Sequence, residues 1–298
     1  MYSSIFKTGA IVFTIVVVCF FGYISCKSKE VKYEPTYVTD PATKKILLFG
    51  VPGQPYYEAT SSLVKYLNQH LKNVQVQTVA SFTLEEYVHK LDQGYFNFTI
   101  FNGIKALEEQ KNGYSIVGKV GDDDSYRGVI LVNKDSVIRD INDLKNKSIA
   151  SPGQAALAGH MMPMLYLHKN GIDVNKDIRL VYCSSFESAI MNVYLGKSAA
   201  AFSWITNWKS FIKRRPEIAA KVDLKWETPP LINTAILFRN DMDKETADEL
   251  KNLLFTLHES EEGKNILDKI GFTKFEPADS NTYQPVKRFM TEYNAAIH

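Results

Sequence analysis

Apolar residues recur along the chain with two periods, and the periods alternate. "ILLFGV" (46–51) is a continuous apolar run of strand length, closed by Pro52 and Gly53. Behind it Leu63, Tyr66, Leu67 and Leu71 fall at helical spacing. "VQVQTVA" (74–80) alternates apolar with polar, as a half-exposed strand does. Thr83, with Glu86 three positions on and Gly94 beyond, brackets a capped helix. A strand in "YFNFTIFNG" (95–103) and a short helix in "IKALEEQKNG" (104–113) follow. The rhythm then resumes. "YRGVILVN" (126–133) is a strand, and "DINDLKNKSIASP" (140–152) is a short helix running into a strand. A helix covers 155–170, with Gly171 at its end. "IRLVYCS" (178–184), "SFESAIMNVYLGK" (185–197) and "AAAFSWI" (199–205) read strand, helix, strand. "NTAILFRNDM" (233–242) is the last strand, before a helical region from Lys244 to Ile270 broken near Gly263.

Strands separated by helices predict parallel α/β layers. Two such runs predict two lobes: residues 44–128 with 234–298, and residues 129–233. "YRGVILV" is the outward crossing and "NTAILF" the return, so the fold class is α/β, two-lobed, with a hinge of two crossing strands. Any ligand would sit between the lobes, at the carboxyl ends of the strands.

The first 43 residues follow neither period. Lys7 lies in a polar start, "AIVFTIVVVCFF" (10–21) is almost wholly apolar, and small residues lead to Cys26. This is the layout of a secretory signal over 1–25, and the run is shorter than the ~20 residues a spanning helix needs. Tyr23-Ile24-Ser25-Cys26 resembles a bacterial lipobox, with Tyr23 in place of the usual Leu. Cys26 is then the lipidation site, and polar 26–43, with Pro35 and Pro41, is a tether. The alternative is an uncleaved anchor helix. Both readings place the bulk of the chain in the cell envelope, on the extracytoplasmic side of a bacterial membrane.

A net charge of +2, from 35 basic and 33 acidic residues, gives no basic face for nucleic acid. Lys213, Arg214 and Arg215 read as a solvated helix end. Of three cysteines only Cys183 would remain unlipidated in the mature chain, so stability rests on the apolar core. His160, Met161, Met162 and Met164 offer soft donors of the kind that hold Cu(I), but at helical spacing they point to several faces and suit core packing better. Cys183, at a strand end, is the one nucleophile candidate for a cleft enzyme; no histidine lies near it in sequence, and Glu187, one turn into the next helix, is the one base on offer. No phosphate-loop, dinucleotide, zinc or nucleophile-elbow motif occurs. Neither a catalytic residue, nor a metal, nor a cofactor is assigned.

The order of elements, with "YRGVILVNKDSVIRDINDLKNKSIA", "GHMMPMLYLHKNGID", "SFESAIMNVYLGKSAAAF" and "NTAILFRNDM", resembles the periplasmic phosphate/phosphite/phosphonate-binding proteins of ABC importers, within the type II solute-binding fold. The resemblance covers 46–293. It implies a monomer that binds a small-molecule solute between its lobes, with an ABC permease and the membrane as partners. It also implies a hydroxyl-rich turn, a Ser-His pair and an Asp holding the ligand. This chain has Ala156-Leu157-Ala158-Gly159, Ser185-Phe186 and Ala199 at those places. The ligand is therefore either a phosphonate-like anion held by backbone N–H groups alone, or a more apolar or aromatic solute. Residues just beyond strands or at helix starts are the candidate walls. They are Tyr56, Tyr57, Asn102, Lys105 and Tyr126, and from the second lobe Ser151, Gln154, Ala155, Phe186, Glu187, Trp204 and Asn207. Tyr57 and Trp204 also fit a core, Lys105 a solvated helix face, and Glu187 the first turn of its helix. The same fold on an envelope sensor or assembly lipoprotein that has lost transport is the competing reading.

Overall fold

A computed structural model describes residues 44–298. The signal (1–25), the tether (26–43) and Cys26 lie outside the described residues. In chain order the first half holds β1 (Lys45–Val51), α1 (Gln54–His70), β2 (Val74–Ala80), α2 (Leu84–Asp92), β3 (Phe98–Phe101), α3 (Gly103–Glu109), β4 (Tyr114–Val120), β5 (Gly128–Asn133) and β6 (Lys147–Ser151). The second half holds α4 (Met162–Lys169), β7 (Ile178–Tyr182), α5 (Phe186–Tyr194), β8 (Ala200–Trp204), α6 (Ile205–Arg214), α7 (Pro216–Lys221) and β9 (Val222–Glu227). It closes with β10 (Ala235–Arg239), α8 (Lys244–Thr256), α9 (Glu261–Ile270), β11 (Phe275–Pro277) and α10 (Gln284–Ile297).

The strands form two sheets, ordered β11–β4–β10–β3–β1–β2 and β7–β6–β8–β5–β9. β1 runs parallel to β2 and β3, and β6 parallel to β7 and β8, as helix-separated strands should. β10 and β5, the strands that follow each crossing, enter their sheets antiparallel. Period explains burial: β2 buries Val74 and Val76 and exposes Gln75 and Gln77. In β1, Leu47, Phe49 and Val51 are all buried, and Phe49 stacks on Phe98 with ring centroids 4.7 Å apart. Each such side chain contributes roughly 1.5–3 kcal/mol by leaving water.

Local signals hold with adjustments. Thr83 Oγ1 accepts from Glu86 N (3.1 Å), while the Glu86 carboxylate reaches one residue further back than a capping box, to Phe82 N (2.8 Å). Gly94 ends α2 at φ 69°, a conformation that disfavours side chains. The expected helix over 155–170 begins as a π-turn at Leu157–Met161 before α4. The break expected near Gly263 in the 244–270 region is at Ser260, whose Oγ caps α9 by accepting from Gly263 N (3.0 Å). Gly263 lies inside the first turn, where a Cβ would collide with the Leu257 carbonyl. The sequence pattern assigns no strand to β4, β9 or β11: in β4 Ser115, Gly118 and Lys119 interrupt the apolar run, and β9 and β11 are weakly buried edge strands. β9 buries only Val222 outright, and β11 is three residues ending in proline. Lys213 and Arg214 occupy the last turn of α6, and Arg215 caps it.

Between the sheets the two passages of chain, 121–127 and 228–234, lie side by side. Val120 N donates to Thr234 O (2.9 Å), Leu231 N to Tyr126 O (3.1 Å) and Thr228 N to Gly128 O (2.9 Å). Buried Asn233 bridges them, its Nδ2 donating to Gly121 O (3.1 Å) and Asp122 O (3.2 Å). Asp123 Oδ1 accepts from Asn233 N and from Lys119 Nζ, both at 2.9 Å, and Lys119 also pairs with Glu276 at 2.7 Å. Burial pulls the Lys119 pKa down, but Glu276 and Asp123 outweigh it and hold the ammonium charged. The C-terminal segment is shared. Val286 packs in the apolar cluster between the sheets, whereas Tyr293 and Ile297 of the same helix α10 pack into the core of the second sheet.

Asn233→Ala removes the two hydrogen bonds donated by Nδ2 and those that Oδ1 accepts from the Thr234 N–H and hydroxyl, and strands the Gly121 and Asp122 carbonyls. It should destabilise the fold by about 2–3 kcal/mol in urea titration. A loss under about 0.5 kcal/mol would show that the crossings are held by something else.

Candidate ligand-binding cleft

The carboxyl ends of β1 and β3 in one sheet, and of β6, β7 and β8 in the other, point into one space. It is a cavity of about 270 Å³. At ~30 Å³ per water this is room for about nine waters, the size of a small solute. Pro52, Gly53 and Tyr56 follow β1, and Asn102 follows β3. Pro152 follows β6, Ser184 to Glu187 follow β7, and Trp204 ends β8. Tyr126 and Thr234, on the two crossings, form the back wall.

Among the described residues that line the cavity there is no lysine or arginine, and Glu187 is the sole carboxylate. Arg214 pairs with Glu187 at 2.6 Å from outside that wall. Tyr56 is half-buried on the cavity wall. Burial raises its pKa to about 12, against the Trp204 indole and the Asn207 amide, which favour the ionised form. Tyr126 is pushed up by burial and by Tyr56, with the Ala158 N–H acting the other way. Both phenols therefore stay neutral at physiological pH. Trp204 is 6% exposed, its Nε1 closed off from solvent and set beside the Tyr56 hydroxyl.

The π-turn start, where a hydroxyl-rich turn would hold an oxyanion, borders the cavity through Ala156 to Gly159 but carries no hydroxyl. Ala156 precedes it with no side-chain cap. The Ala158 N–H faces the Tyr126 hydroxyl, and the Phe186 ring lies so close over Gly159 that a Cβ there would collide with it.

Seven of the candidate residues line the cavity: Tyr56, Asn102, Tyr126, Phe186, Glu187, Trp204 and Asn207. Five do not. Tyr57 is 43% exposed. Lys105 is drawn away by Asp92 (2.5 Å), Glu109 (2.9 Å) and Glu108 (3.3 Å). Ser151 is buried against His160, its Oγ 2.8 Å from Nδ1. Gln154 donates to the Tyr182 hydroxyl (3.1 Å) at the surface. The Ala155 carbonyl accepts from Asn102 Nδ2 (2.9 Å), a hydrogen bond from one lobe to the other. Sequence reasoning missed Phe82, Leu157 and Phe272 on the walls. Phe82, an isolated aromatic beside the Thr83 cap, was detectable. Phe272 reaches the cleft from the far end of the chain and carries no local signal. The methionines do not converge: Met162 packs in the cluster between the sheets and Met164 in the core of the second sheet.

Asn102 also caps α3, its Oδ1 accepting from Lys105 N (3.1 Å). Asn102→Asp keeps the cap but loses the donor to Ala155. The variant should stay folded and show a larger radius of gyration in small-angle scattering; an unchanged curve would mean this bond does not hold the lobes together. A second expectation concerns pH. Burial lowers the His160 pKa from 6.5 to about 4. Between those values the unfolded chain binds a proton that the native state does not, so stability is full above pH 6.5 and falls as pH drops toward 4. The loss is about 3 kcal/mol. His160→Gln should flatten that slope in thermal melts across this window, whereas an equal slope in both proteins would remove His160 as its source.

The chain matches the family model described as ABC transporter, phosphonate, periplasmic substrate-binding protein over residues 52–283. It is 21% identical over 248 residues, 79% of this chain and 82% of the relative, to a probable ABC transporter phosphite binding protein of Prochlorococcus marinus. A solved structure from that organism, in complex with methylphosphonate, superposes with a TM-score of 0.74 at 20% identity, covering 84% of this chain and 98% of its own. A binding-protein component of a phosphonate ABC transporter from Pseudomonas aeruginosa gives 0.77 at 18% identity, with 85% and 88% covered. The fold is the type II periplasmic-binding-protein fold, and the chain belongs to the family of periplasmic substrate-binding proteins of phosphonate ABC transporters.

Proposed function

We propose that the protein is a lipid-anchored capture subunit that closes its two lobes on a small solute and presents the closed form to a membrane permease. The observation that carries this reading is the cavity itself. Strand ends of both sheets build it, and the paired crossings form its back wall, so a rotation about those crossings would open and shut it. Family membership supports the transport role. The lobe division 44–128 with 234–298 against 129–233 is the unit of that motion, with α10 spanning both parts. Lipidation at Cys26 rests on the sequence and on the polar tether that follows it. Among the described residues no helix is long and apolar enough to cross a membrane.

Phosphonate-like anions are one ligand class, by analogy with the relatives' printed ligands. The apolar walls favour a less charged solute. Catalysis finds little support. The Cys183 sulfur accepts from Asn192 Nδ2 (3.4 Å), and burial raises its pKa, away from the thiolate a nucleophile needs.

A solute at one hundred times its Kd should stabilise the fold by about 2.7 kcal/mol. That amounts to roughly 5–10 °C in Tm for a chain of this size. A thermal-shift screen of phosphonates, phosphate, nucleosides, vitamins and amino acids is the test. A flat response to every solute would instead favour an envelope lipoprotein that kept the fold without transport. Loss of membrane association in Cys26→Ala tests the anchor, and unchanged fractionation would remove it.

A further inference from the structure

The reading above leaves the solute class open, and the inference here rests on that reading. Most polar groups on the cavity wall are already spent within the protein. Thr60 Oγ1 donates to Tyr56 O (2.7 Å). Asn102 is used at both ends, its Oδ1 by Lys105 N and its Nδ2 by the Ala155 carbonyl. Ser185 Oγ accepts from Ser188 N (3.1 Å) and donates to Ser188 Oγ (3.0 Å). Asn207 Oδ1 accepts from Ser203 Oγ (3.2 Å), Thr234 Oγ1 donates to Asn233 Oδ1 (3.4 Å), and Glu187 pairs with Arg214. Gln54 and Ser184 are exposed, so water serves them.

The hydroxyls of Tyr56 and Tyr126 differ. Each meets donors from the protein, but no acceptor for its own proton among the described residues. The Trp204 indole and the Asn207 amide lie beside the Tyr56 oxygen, and the Ala158 N–H beside that of Tyr126. All three favour the ionised oxygen, as donors do. The two phenol protons are left over. Neither oxygen is closed off from solvent as Trp204 Nε1 is, and both side chains line the cavity. The two are also neighbours. Tyr126 meets the Trp204 ring edge-on, centroids 5.6 Å apart, and the Tyr56 hydroxyl sits beside that same indole. Tyr56 comes from the first turn of α1 and Tyr126 from the first crossing, so the pair stands at the back of the cleft.

Two neutral donors suit a neutral acceptor. An oxyanion gains most from charged donors. Among the described residues the lining has no lysine or arginine, and it carries the Glu187 carboxylate. An anion entering here would lose its hydration without gaining a charged partner. A carbonyl oxygen has two lone pairs, one for each phenol, and brings no charge. Around it the wall is apolar, with Phe49, Val51, Ile100, Leu157 and Phe186 on it.

We propose that the solute is an uncharged, mainly apolar carbonyl compound (a ketone, ester or amide) whose oxygen accepts from the Tyr56 and Tyr126 hydroxyls while its hydrocarbon part lies against the apolar wall. The cavity of about 270 Å³ holds roughly nine non-hydrogen atoms.

The test is calorimetric titration of the full chain with three carbonyl compounds, acetophenone, benzamide and caprolactam. Ethylbenzene, in which a CH₂ replaces the carbonyl of acetophenone, is the matched control, and methylphosphonate and inorganic phosphate are the anions. Each titration is repeated on Tyr56→Phe and Tyr126→Phe, which keep the ring and remove the proton. At least one carbonyl compound should bind, and each variant should weaken it about five- to ten-fold, the size of one lost hydrogen bond. Ethylbenzene should bind more weakly than acetophenone, and equally to all three proteins. The comparison of acetophenone with ethylbenzene uses the unaltered chain alone, so it stands whether or not a variant folds. Equal binding of those two, or carbonyl binding that neither variant weakens, would overturn the inference. Binding of methylphosphonate but of no carbonyl compound would also overturn it, and would leave the solute-binding function standing. No binding by any of these compounds would overturn the inference and leave the function to the broader thermal-shift screen, where a flat response would remove both.

Discussion

The two passages of chain between the sheets are hydrogen-bonded side by side, and the rest of the architecture depends on that pairing. Val120 with Thr234, Tyr126 with Leu231 and Gly128 with Thr228 fix both sheets to one short ribbon. With the ribbon in place, the carboxyl ends of β1 and β3 face those of β6, β7 and β8, so residues far apart in sequence share one cavity. Lys119, Asp123, Glu276 and Asn233 lock the ribbon on one side. They are partly buried, so the pairs are screened less than surface ion pairs are.

The cleft that results departs from what its family membership would lead one to expect. Charge-assisted hydrogen bonds are the strong way to hold a phosphonate. Among the described residues the walls offer neutral phenols and aromatic faces, and the one carboxylate is balanced from outside by Arg214. The fold positions helix starts toward the ligand space in any case. What those starts can bind is decided by the side chains over them, and at this π-turn the side chain is Phe186.

Much of the scaffold was legible because it follows from period. β1 and β2 were visible as apolar and alternating runs, and α2 in its Thr83 cap and Gly94 stop. Tyr56, Asn102, Tyr126 and Trp204 were found for one reason: each stands where a strand or crossing meets the cleft. Lys105 stands in a similar place, yet Asp92 on the neighbouring helix and Glu109 on its own draw its ammonium aside. Ser151 likewise turns inward to His160, nine residues on. Such partners are set by packing, which no local pattern records. β9 and β11 were hidden because half-exposed residues carry little hydrophobic signal, and β4 because Gly118 and Lys119 break its apolar run.

The central claim is that the space between the paired crossings is a solute cleft whose lining, among the described residues, carries no lysine or arginine. The most direct measurement is a crystal structure of the full chain purified from its native envelope with no solute added. The account predicts solute density between the lobes, in contact with Tyr56, Tyr126 and Phe186. A cleft closed by the protein's own side chains, with no solute density in it, would contradict it.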